Sequence, residues 1–186
     1  MNKILLQLAR EAINDKLNNT DTIDRESILI KYPELSEKRA TFVTLNEYGE
    51  LRGCIGSLEP RRTLLDDLVS NAKSAAFYDP RFMPLDKSEF DKIEIEVSIL
   101  SVPKLLEYDS IDDLKSKVKV GTDGIVLKHY GYQATFLPQV WEQLPTFELF
   151  FAHLCQKAGL APNCLEEHPQ IETYQVEKIK EGGERS

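Results

Sequence analysis

Residues 40–58 read ATFVTLNEYGELRGCIGSL, two β-prone runs separated by Asn46-Glu47-Tyr48-Gly49-Glu50. The glycine offers the positive φ that a tight turn needs, so the stretch is expected to fold as a β-hairpin. A second strand is plain over residues 92–102, KIEIEVSILSV. Ile93, Ile95, Val97 and Ile99 point one way, and Glu94, Glu96 and Ser98 the other. Residues 124–137 repeat the hairpin pattern around His129-Tyr130-Gly131, and residues 171–179 read as a last strand.

Helices fall irregularly between these strands. Ile4, Leu5, Leu8, Ala9, Ala12 and Ile13 form one stripe at helical spacing, predicting a helix over 3–17. Thr63 caps a second helix whose apolar face runs from Leu64 to Ala76; Pro80 and Pro84 prevent it from continuing. A short helix is expected over 111–117. Thr146 starts another, bearing Phe147, Phe150, Phe151 and Leu154, with Gly159 as its stop. Residues 18–38 are polar, contain Pro33 and show no period, so they read as a connection with one helical turn. The order predicts an α+β fold, mainly antiparallel sheet with flanking helices, in a single domain over 1–180 with a loose tail over 181–186.

Composition narrows the function. The 186 residues carry 31 acidic and 23 basic side chains, a net charge of -8, which argues against non-specific nucleic-acid binding. No apolar run reaches the roughly 18 residues of a membrane span. The opening stretch is interrupted by Gln7, Arg10 and Glu11, unlike the apolar core of a signal peptide. With three cysteines, an odd number, reduced thiols and a cytoplasmic setting are expected.

The chemistry concentrates in LRGCIG, residues 51–56. Two glycines inside a strand call for a bulge, a close approach or a ligand near the backbone. Alternation places Arg52 and Cys54 on one face, where the cation favours the thiolate, the form that acts as nucleophile. The other reading is that Cys54 is a small buried hydrophobe and the glycines serve packing. Metal-type side chains are sparse. Cys164 and His168 are spaced i, i+4, but His153 and Cys155 do not share a helix face, and no second close cysteine pair completes a zinc set. Whether Cys155, Cys164 and His168 bind metal stays open. No phosphate loop, dinucleotide motif or close cysteine triplet occurs, so the residues support no cofactor.

LRGCIG, DPRFMPL (79–85), EVSILS (96–101), GTDGIVL, FLPQV and KAGL, in that order, resemble the AMMECR domain family, also called AmmeMemoRadiSam system protein A. The resemblance implies two closely packed lobes with a cleft lined by LRGCIG. It also implies no settled activity, and association with a Memo-type protein and a radical-SAM protein. Its motif positions are Arg52, Gly53, Cys54, Gly56, Asp79, Arg81, Phe82, Glu96 and Ser98.

Two functions follow as expectations. One is an accessory or ligand-binding subunit. The alternative is a cysteine-dependent enzyme acting on a small anionic substrate or a nucleic-acid base, with Cys54 as nucleophile or acid/base and Glu96 moving a proton. Arg52 and Arg81 beside Cys54 would suit a carboxylate or phosphate, with Gly53, Gly56, Asp79 and Ser98 completing the ligand-binding set. Asp79 and Arg81 read equally well as a local ion pair that fixes their loop, and Glu96 as the outer face of an edge strand.

Overall fold

The computed structural model describes residues 2–182. Its elements run α1 (Asn2–Asn18), α2 (Arg25–Lys31), β1 (Ala40–Glu47), β2 (Glu50–Gly56), α3 (Leu64–Phe77), α4 (Lys87–Phe90), β3 (Ile93–Leu100) and β4 (Lys104–Leu106). They continue with α5 (Ile111–Lys117), β5 (Gly124–His129), β6 (Tyr132–Phe136), α6 (Phe147–Lys157), β7 (Gln170–Tyr174) and β8 (Val176–Lys180). This is the expected α+β fold, with two four-stranded antiparallel sheets and flanking helices, and the chain divides into two compact units.

The first unit takes residues up to 100 and from 177 on, and its sheet runs β2-β1-β3-β8. α1 and α3 pack on one face of it. The alternation explains why: Val43, Leu45, Ile95 and Val97 are fully buried against Leu5, Leu8, Ile13 and Leu68. Each apolar side chain so buried is worth roughly 1.5–3 kcal/mol, and one face of sheet against two helix stripes is what holds this unit together. Thr63 caps α3 by accepting from Asp66 N, as its position before the apolar run predicts.

The second unit spans 101–176, with sheet order β4-β7-β5-β6. Leu114, Ile125, Leu127, Phe150, Phe151, Leu154 and Ile171 form its core. Trp141 stacks on Phe150 at 3.7 Å between centroids, and its Nε1 donates to the Asp123 carbonyl at 2.8 Å. A buried indole N–H is thereby satisfied. Both hairpins, β1–β2 and β5–β6, turn on a Tyr-Gly pair in the left-handed region: Tyr48 at φ 52° with Gly49, and Tyr130 at φ 45° with Gly131.

Four expectations change. The single strand over 171–179 is two strands, β7 and β8, that belong to different sheets. The break is at Gln175, whose N–H donates to Ser101 Oγ and whose carbonyl accepts from Ser101 N. The connection over 18–38 contains a true helix, α2, capped by Asp24; it is seven residues long and only its Ile28 and Leu29 pack, partly buried, on the core, too little for a helical stripe to show. Glu181, at the head of the expected loose tail, is held by Arg10 at 2.7 Å and accepts from Ile95 N; residues 183–186 lie outside the described residues. Finally, the thiols are not all reduced.

Cys155 on α6 and Cys164 are joined in a disulfide, 0% and 3% exposed, leaving Cys54 as the free cysteine. The cause is positional: Gly159 stops α6 and the chain folds back, so that Cys164 reaches the buried face carrying Cys155. A crosslink closing a loop of this length stabilises the fold by about 2.6 kcal/mol. It also removes both sulfurs from any ligand set with His168, whose ring stacks on Tyr108. Among the described residues no helix is long and apolar enough to cross a membrane.

Candidate functional site

The site is built on β2, which lies at an edge of its sheet. Edge strands leave N–H and C=O groups unpaired, and proteins commonly cover them. Here the segment after α3 does so. Asp79 Oδ2 accepts from Cys54 N at 3.0 Å, and Arg81 Nη2 donates to the Cys54 carbonyl at 3.4 Å. Asp79 Oδ1 also accepts from Arg81 N and Nε, and Oδ2 from Arg81 Nη2 at 2.7 Å. An Asp–Arg pair thus stands where a neighbouring strand would.

Gly53 makes this cover possible. A Cβ at that position would lie 2.1 Å from the carbonyl oxygen of Ala75, inside the last turn of α3. Only glycine lets β2 come so close to the helix backbone. The approach carries the chain four residues beyond Ala75 to the Cys54 edge. Gly53 and Asp79 are therefore parts of one clamp. Gly56 allows a second close contact: a Cβ there would meet the Phe42 ring at 2.2 Å.

Arg52 is held separately. The register slips between Leu45 and Asn46, which face Gly53 and Leu51, so Arg52 has no partner on β1 and the simple alternation with Cys54 is interrupted. Its Nε donates to Glu89 at 2.6 Å and its Nη2 to the Met83 carbonyl at 2.7 Å. Both guanidinium groups lie near the Phe82 ring, 5.7 Å for Arg52 and 5.5 Å for Arg81. Arg81 and two backbone N–H groups hold the Asp79 carboxyl well below the usual carboxylate range, despite a burial that works the other way. Arg52 similarly lowers Glu89. Each arginine thus has its carboxylate at bonding distance.

Register places Thr44 between Cys54 on β2 and Glu96 on β3, and Phe42 between Gly56 and Ser98. β3 is an interior strand, so Glu96 is not on an edge, and Ser98 is buried. The half-buried Cys54 sulfur lies 3.2 Å from Thr44 Oγ1. Cys54 and Glu96 are two strand spacings apart, about 9.6 Å at the backbone. A base acting directly on a thiol sits within about 3 Å of it. The structure therefore brings together Arg52, Gly53, Cys54, Asp79 and Arg81, sets Glu96 one strand further away, and puts Ser98 in the neighbouring row. Among the described residues no group of three or more His, Cys, Asp or Glu side chains is placed to hold a metal ion.

Two residues of this site escaped the sequence reading. Thr44 was legible only through the register opposite Cys54. Glu89 carried a signal, because Asp86-Lys87-Ser88-Glu89 has the spacing of a capping box and forms one at the start of α4.

The AMMECR1 family model matches residues 6–179. A protein of Methanothermobacter thermautotrophicus is 37% identical over 181 residues, covering 94% of this chain and 90% of its own. Protein MK0488 of Methanopyrus kandleri is 40% identical over 169 residues, covering 87% and 78%. The crystal structure of uncharacterized protein PH0010 from Pyrococcus horikoshii superposes with a TM-score of 0.76 at 34% identity, covering 98% of this chain and 95% of that one.

Proposed function

From the premise that this chain belongs to the AMMECR1 family, we propose that it is an accessory or ligand-binding subunit, not a thiol enzyme. In this reading the LRGCIG segment builds a rigid surface and Cys54 is a structural part of it. The Memo-type and radical-SAM proteins that the motif resemblance implies are its partners. One observation carries the reading: each arginine near Cys54 is already paired with a carboxylate. Arg52 is neutralised by Glu89 and Arg81 by Asp79. Asp79 is a poor base, because its charged form is strongly favoured.

The thiol-enzyme reading draws support from the Thr44 contact, which places a hydroxyl on the sulfur, and from Glu96 in the same cross-strand row. It requires a substrate long enough to bridge about 9.6 Å.

Calorimetric titration against the purified partner proteins tests the proposal. It predicts saturable binding to at least one, tighter than about 50 μM, and equal binding by Cys54→Ser. Heats no larger than dilution for both partners would overturn it.

A further inference from the structure

The β5–β6 turn is built against local preference. A two-residue turn with both φ positive suits Asn-Gly, and a bulky residue there is strained. Position 130 is nevertheless tyrosine at φ 45°, with 91% of its surface exposed, so packing does not offset the strain. The β1–β2 turn holds Tyr48 in the same way, at φ 52° and 81% exposed, so what sets Tyr130 apart is the recess beside it.

A recess of about 320 Å³ lies beside it, lined by Lys128, His129, Tyr130, Tyr132, Gln133 and Gln170. Tyr132 is 53% exposed, and its ring lies near Gly159, where a Cβ would come within 3.6 Å of it. His129 meets Tyr130 edge-on at 4.4 Å. At the rim Lys128 pairs with Glu172 at 2.7 Å, and His129 Nε2 lies 3.0 Å from Glu167 Oε2. Lys128 therefore offers an anion no uncompensated charge. The volume is at the small end for ligand sites, enough for one ring system. Tyrosine faces favour a planar ring, and the Gln170 amide favours one with a hydrogen-bonding edge.

We propose that this recess binds a small, planar, non-anionic heteroaromatic molecule against Tyr130 and Tyr132. The site lies wholly within residues 101–176 and is independent of the reading of Cys54. The test uses the full chain with adenine as probe, followed by saturation-transfer NMR, and cyclohexanone as the non-planar control. Saturable transfer to adenine, none to cyclohexanone, and loss of the adenine signal in Tyr130→Asn is the expected result. Asparagine suits the left-handed position, so that variant is expected to melt at the same temperature or about 2 °C higher. Three results would each overturn the proposal: no transfer to adenine, undiminished transfer in Tyr130→Asn, or a variant that melts several degrees lower, which would make the ring structural.

Discussion

Gly53→Ala is expected to destabilise the protein by about 3–4 kcal/mol and to lower its melting temperature by about 10 °C. The added methyl would lie 2.1 Å from the Ala75 carbonyl oxygen. Neither neighbour yields easily, because one is backbone inside β2 and the other backbone inside α3. The strand must leave the helix, and Asp79 then loses its reach to Cys54. Gly49→Ala serves as the comparison. Its φ is positive, unlike that of Gly53, and the space around it is open, so only conformational strain of about 1 kcal/mol is expected. Thermal melts of both variants separate close approach from backbone freedom. Equal, small effects would mean that β2 and α3 part without consequence.

Asp79→Ala is expected to cost about 3 kcal/mol. The carboxylate is 5% exposed and accepts four hydrogen bonds, from Cys54 N and from three Arg81 donors. Its removal leaves an edge N–H without an acceptor, and an unmet donor of that kind costs about 1–3 kcal/mol alone. The pH dependence has a definite sign. The folded-state value of Asp79 is below the ordinary 3.8, so its contribution is complete above that value and is lost as pH falls below it. Urea midpoints measured between pH 6 and 2.5 should therefore fall more steeply below about pH 4 for the native protein than for Asp79→Asn. Parallel curves would show that the Asp79 charge does not hold the clamp.

What the sequence disclosed follows from the range of the interaction. The β1–β2 and β5–β6 hairpins, β3, α1, α3, α5 and α6 were legible because alternation, helical stripes and caps act over a few residues. The capped α2 was missed because it is seven residues long and only Ile28 and Leu29 pack on the core, too few to set a helical period. The division of β7 from β8 was missed because no glycine, proline or asparagine marks a break at Gln175, while the change of partner sheet is a tertiary event. The disulfide was missed because Cys155 and Cys164 meet only once α6 has ended and the chain has folded back. In the candidate site, LRGCIG and DPRF were visible as motifs, but their relation was not. Cys54 and Asp79 are 25 positions apart and Arg52 and Glu89 are 37 apart, so nothing local pairs them. The electropositive pocket suggested by two arginines is, in the folded chain, two neutralised pairs around Phe82.

Alkylation of Cys54 at pH 7, read by mass spectrometry in the native and the urea-unfolded protein, tests the central claim that this cysteine is part of a clamp and not a nucleophile. The account predicts that the native thiol, half-buried and in contact with Thr44, reacts several-fold more slowly than the unfolded one. A native Cys54 that reacts faster than the unfolded one would contradict it, because only an activated thiolate gains reactivity on folding.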